Sequence, residues 1–215
     1  YGLSYILKVS DPAAIAGAMT EVRTTDLGKD SPSSVSLGQL VAGGEEGATH
    51  TIGVFYRSAE NIDKANAMNE AMKVGEKVGP IFQAASERLQ VVLWMMTRNS
   101  LNEDAVTSDN PVSMGYLLEV TDQAAFMNAF DPLWDSVTKS FPGNVAFGTV
   151  LANGSSSGTH WISFSANNME TLLNGVQAMQ NSPAMAAYMA NASSFRTVVG
   201  ESVNRRLLSF PESTQ

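Results

Sequence analysis

A chain of 215 residues with 44% hydrophobic side chains, 17 glycines and 8 prolines has enough apolar material to bury a core, which excludes a disordered or collagen-like polymer. The absence of cysteine removes disulfides, thiolate chemistry and Cys-based metal sites. A formal charge of −8 argues against a phosphate-binding face for nucleic acid or anionic membrane, and no apolar run approaches the roughly 20 residues that span a bilayer.

Residues 3–9 alternate as a strand, with Tyr5, Leu7 and Val9 on one face. Asp11-Pro12 then opens a helix as acidic cap and first-turn proline, and Ile15, Ala18, Met19 and Val22 recur at helical spacing. An uncharged strand over 33–44 follows, then the turn Gly43-Gly44-Glu45-Glu46-Gly47 and a third strand entered at His50. Ile62, Ala65, Met68 and Met72 mark a second helix, Pro80 the start of a short helical segment, and residues 89–96 a last strand.

The order then repeats. Leu37-Gly38 and Thr49-His50 lie over Phe147-Gly148 and Thr159-His160 at one constant offset, and Tyr5, Leu7 and Val9 lie over Tyr116, Leu118 and Val120 after a one-residue shift. Asp122 caps the matching helix, with Phe126, Ala129, Phe130 and Leu133 along its apolar stripe, and Ser182-Pro183 opens the later short helix before a strand over 203–210. The expected fold class is therefore α+β: two tandem ferredoxin-like βαββαβ repeats, pseudo-twofold related, each an antiparallel sheet with both helices on one face. Residues 1–98 form the first repeat, 99–112 a linker and 113–215 the second. The architecture resembles a tandem form of the dimeric α/β-barrel proteins, in which two such sheets pack face to face.

Chemistry is sparse. The two histidines, His50 and His160, occupy matched positions and could ligate a metal or haem, or act as a general base. The plainer expectation is that each imidazole satisfies a turn carbonyl, because the first turn's Glu45 and Glu46 become serines in the second copy. The glycine-bearing turns fit neither GxGxxG nor GxxxxGK[ST], and Gly154 to Gly158 precedes a strand where a nucleophile elbow needs a helix. No motif calls for a cofactor or a metal.

Charge is unevenly spread: 23 of the 34 charged residues lie in 1–110, and Glu170 alone falls between Lys139 and Arg196. Charge depletion with retained methionine and aromatic residues matches the composition of interface cores. The uncharged second strands of each copy are expected at sheet edges, where Gly38 and Gly148 could mark protective bulges. On that reading Leu37, Leu40, Phe147, Val150, Met185, Tyr188 and Met189 are candidates for a self-assembly interface, and the chain itself is its main partner. A duplicated, cysteine-free α/β chain with these paired Leu37-Gly38, Phe147-Gly148 and Thr-His motifs resembles the pyrenoid shell proteins of diatoms and related algae. The resemblance implies a non-enzymatic structural protein that assembles into a sheet, tube or shell around the Rubisco-rich pyrenoid in the chloroplast stroma, supporting CO2 concentration. The competing expectation is a small-molecule-binding or monooxygenase-like α/β-barrel protein with a pocket between sheet and helices and His50 or His160 nearby.

Overall fold

Strand β1 (Gly2–Val9) alternates as its sequence implies, burying Leu7 and exposing Lys8. A computed structural model describes residues 1–100 and 106–213, so residues 101–105 of the expected linker lie outside the described residues. Helix α1 (Pro12–Arg23) follows at once: the Asp11 carboxylate accepts the Ala14 N–H, and Ile15, Ala18 and Met19 are buried. The short α2 (Asp26–Lys29) leads to β2 (Ser34–Gly43), which pairs antiparallel with β3 (His50–Phe55). Helices α3 (Ala59–Ala71) and α4 (Val74–Ala85) precede the long β4 (Ser86–Asn99). The second copy contributes β5 (Val112–Val120), α5 (Gln123–Ser140), β6 (Asn144–Ala152), β7 (His160–Ala166), α6 (Met169–Gln180), α7 (Pro183–Met189) and β8 (Arg196–Phe210).

The chain divides into two compact units: residues 1–40, 45–94 and 206–215 in the first, and 41–44 with 95–205 in the second. In the first, Leu7, Ile15, Met19, Leu37 and Ile52 form the core, with Leu208 and Phe210 of β8 packed against it. In the second, α5 and α6 lay Phe126, Phe130, Leu172 and Val176 over Leu118, Phe147 and Phe164 of the sheet. Aromatic contacts knit this core, with Phe130 and Phe147 centroids 4.6 Å apart and Phe126 and Phe130 stacked at 5.1 Å.

The expected pair of ferredoxin-like βαββαβ repeats, each with its own open antiparallel sheet, is corrected here. All eight strands form one closed barrel in the order β1-β3-β2-β8-β5-β7-β6-β4. The cause is the length of the last strand in each copy. Strands expected over 89–96 and 203–210 run for 14 and 15 residues instead. Ser86 to Trp94 of β4 pair with β1 in the first unit. From Met95 onward the strand belongs to the second unit, where Thr97 Oγ1 donates to the Phe147 carbonyl and Ser100 N–H to the Val145 carbonyl. Likewise Arg196 to Arg205 of β8 pair with β5, and the remainder belongs to the first unit.

Closure removes sheet edges, so the uncharged second strands need no guard. Strand β2 is flanked by β3 and β8, and β6 by β7 and β4. The open edges that made Leu40 and Val150 assembly candidates do not exist in this fold. Gly148 is not a bulge either: a Cβ there would sit 2.1 Å from the Met95 carbonyl oxygen and 2.7 Å from the Trp161 ring, so the glycine permits close approach of strand to strand. Pro80 lies inside α4 and does not open it; the helix begins after Lys73, whose φ of 54° turns the chain between α3 and α4.

Candidate functional site

The site is built entirely from the second unit. Strand alternation places Tyr116 and Leu118 of β5, Val145 of β6, and Ile162 and Phe164 of β7 on the face that meets the helices. Across from them, α5 presents Leu133, Trp134 and Val137 at helical spacing, α6 ends in Met179 and Gln180, and α7 supplies Met185, Tyr188 and Met189. Between these surfaces lies a cavity of about 420 Å³, within the range that encloses a small organic molecule. Its walls are overwhelmingly apolar and aromatic.

One corner differs. Strand β8 opens with Arg196, paired in register with Val120, and its guanidinium borders the cavity. Arg196 Nε donates to Tyr188 Oη at 3.0 Å, its Nη2 lies 3.2 Å from Met189 Sδ, and its guanidinium carbon sits 5.3 Å from the centre of the Tyr188 ring. Burial pushes the Tyr188 hydroxyl above the usual phenol value, and the Arg196 hydrogen bond pulls the other way. Tyr116 is raised by burial and then by the Glu201 charge; its hydroxyl contacts Met114 Sδ at 3.0 Å. Both phenols are neutral donors near neutral pH. Behind the helix, Arg98 lies 5.9 Å from the Trp134 ring centre and 6.0 Å from that of Phe130, and is held at 2.7 Å by Asp131.

The histidines are elsewhere. Each imidazole is 6% exposed, and each Nδ1 lies 2.9 Å from the hydroxyl of the preceding threonine, Thr49 or Thr159. Those hydroxyls accept the N–H of Val9 and Val120 at 2.8 and 2.9 Å, so each Thr-His pair ties the end of the first strand of its copy to the start of the third. The expected partner, a turn carbonyl, is replaced by threonine. His160 is packed against Phe126 and Phe147, at 5.6 and 5.7 Å, and neither histidine lines the cavity. Among the described residues no group of three or more His, Asp or Glu is placed to hold a metal ion, and no helix is long and apolar enough to cross a membrane.

Of the assembly candidates, Leu37 and Phe147 are 1% and 3% exposed and belong to the cores of their units, while Leu40 and Val150 are partly exposed. Tyr188 is buried, and Met185, Tyr188 and Met189 line the cavity, with Met189 also open to solvent. Sequence reasoning missed Tyr116, Trp134 and Arg196. The last carried a signal: it is the cation that ends the charge-poor run.

No protein-family model matches the chain, and no curated protein matches it in sequence. Solved structures do share its fold. An anthrone oxidase-like protein superposes with a TM-score of 0.61 at 12% identity, over 97% of this chain and 92% of that one. A protein assigned as a monooxygenase from Fusobacterium nucleatum gives a TM-score of 0.60 at 11% identity, over 99% and 97% of the two chains. A mutant chlorite dismutase from Candidatus Nitrospira defluvii gives 0.56 at 11% identity, over 96% and 91%. This likeness corrects the expectation that the chain is not an enzyme, since the barrel it adopts is one that proteins bearing enzyme names use. None of these neighbours bears on the pyrenoid-shell resemblance.

Proposed function

We propose that the chain is a small-molecule enzyme of the oxygenase type, which encloses a flat, ring-bearing substrate in the cavity of its second unit. The observation that carries this reading is the cavity itself: about 420 Å³ of mostly apolar and aromatic wall with a few hydrogen-bonding side chains, Arg196 and Tyr188 paired among them. Such a site takes up a ring system through apolar burial and orients it by an oxygen-bearing group at the Arg196 and Tyr188 side chains. The neighbours named anthrone oxidase-like and monooxygenase support the choice of reaction class. In that class anthrone and O2 would give anthraquinone and water, with carbon, hydrogen and oxygen balanced. The chain's own residues would exclude bulk water and hold the ring plane between Trp134 and the sheet.

Two measurements test the reading. A neutral fluorescent probe, N-phenyl-1-naphthylamine, should brighten on binding the intact chain, and Leu133→Trp, which fills the cavity, should abolish the signal while the far-ultraviolet circular dichroism is unchanged. Oxygen uptake with anthrone should exceed the uncatalysed rate and fall by at least about tenfold in the same variant. Probe binding indifferent to Leu133→Trp would reject the cavity as the site, and oxygen uptake no faster than the background would reject the oxygenase assignment.

A further inference from the structure

We infer that the ligand of this cavity carries a carboxylate, seated on Arg196, and that the duplicated chain binds one such molecule and not two. The inference rests on the cavity being a small-molecule site and adds the charge and number of its occupant.

Arginine has five N–H donors in a planar fork and is never neutral in a protein. At Arg196 one donor is used by the Tyr188 hydroxyl and another faces the sulfur of Met189, a weak acceptor. No carboxylate lies within salt-bridge distance of it among the described residues, whereas Arg98 has Asp131, Arg57 has Glu212, and Arg23 donates to the Ser33 and Pro211 carbonyls. Arg196 thus lines the cavity with donors that no internal carboxylate engages. A fork-shaped anion arriving in the cavity completes it with two charge-assisted hydrogen bonds. On its N-terminal side the sequence is nearly uncharged: Glu170 is the sole charge between Lys139 and Arg196.

The internal duplication provides the comparison. Val120 pairs with Arg196 at the start of β8, and Val9 pairs with Ser86 at the start of β4. At the matched position, therefore, the first unit has a short hydroxyl, and Ser86 Oγ is already committed to the Phe82 carbonyl at 2.8 Å. One copy carries the anion receptor, and the other closes the same place with a local hydrogen bond.

The test uses two probes with the same rings, anthracene-9-carboxylate and 9-anthracenemethanol, titrated into the full chain by calorimetry near neutral pH. The carboxylate should bind at least about tenfold more tightly than the alcohol, at one molecule per chain. Arg196→Gln should erase that preference by weakening the carboxylate far more than the alcohol, and Arg196→Lys should restore part of it. Equal affinities in the unaltered protein, a preference that survives Arg196→Gln, or two carboxylates per chain would overturn the inference while leaving the cavity as a small-molecule site. Failure of both probes to bind, or binding of both that Leu133→Trp does not disturb, would overturn the inference and the cavity reading together.

Discussion

The matched threonine-histidine pairs show how a residue can be prominent in the sequence for structural reasons. Burial holds both imidazoles below the ordinary histidine value of 6.5, so the folded state resists protonation that the unfolded chain accepts. The stability they contribute is therefore complete above about pH 6.5 and is lost as pH falls below that value toward the lowered folded-state one. Urea midpoints should decline between pH 7 and 5, and the slope should flatten in a His50→Gln, His160→Gln double variant. An unchanged slope would mean that carboxylates dominate acid sensitivity. Tyr188 makes a different residue-scale case. Its hydroxyl accepts from Arg196 Nε, so Tyr188→Phe leaves a charged donor unmatched and should cost about 1–2 kcal/mol in chemical denaturation, with little loss of packing. The histidine pairing was visible in the sequence because identical letters recur at one offset. The Arg196 corner was not, because its partners come from α7 and from the strand register and nothing adjacent in sequence announces them.

At the scale of elements, alternation and caps were legible and lengths were not. Asp11 and Asp122 cap α1 and α5 through the N–H groups of Ala14 and Ala125, as an acidic residue ahead of a helical stripe implies. Strand β4 continues past its expected end because Met95 to Asn99 find a neighbour in β6, and Arg98 can lie over Phe130 and Trp134 while its charge meets Asp131. No local pattern encodes a partner strand that distant. The same contact explains Gly148, and it gives a direct check: Gly148→Ala forces a methyl against the Met95 carbonyl and should destabilise the protein by about 1–3 kcal/mol, read from the shift in urea midpoint. Lys73 predicts the opposite sign. It holds φ of 54° between α3 and α4 with no side-chain cap, so Lys73→Gly should raise stability by up to about 1 kcal/mol. A loss on that substitution would mean that unfolded-chain entropy outweighs the relief of backbone strain.

For the whole molecule, the charge-poor run from 140 to 195 has an internal explanation. Phe141, Val145, Phe147, Phe164, Leu172 and Val176 are core, and Met179, Met185 and Tyr188 border the cavity. Solvent meets Asn, Ser and Ala between them, with Leu151 and Leu173 exposed at 48% and 47%. Composition alone could not tell a surface hidden by a partner from one folded inward around a cavity. The duplication, by contrast, was fully visible in sequence, yet it does not mark where the compact units begin and end. The second unit takes residues 41–44 and 95–100 as well as the second copy, and the first takes 206–213. Gly44 N–H donates to the Glu201 carbonyl, and Ser100 bridges the Val145 N–H and the Asn144 side chain. A fragment comprising 113–215 therefore lacks strand segments whose hydrogen bonds its β6 and β8 require, and exposes backbone groups that the intact chain pairs. Such a fragment should be largely unfolded or aggregated, with collapsed dispersion in its proton–nitrogen NMR spectrum, whereas a fragment beginning at 95 should recover part of the native dispersion. Equal, native-like spectra from both would show that each copy folds alone and that the exchanged segments contribute little to stability.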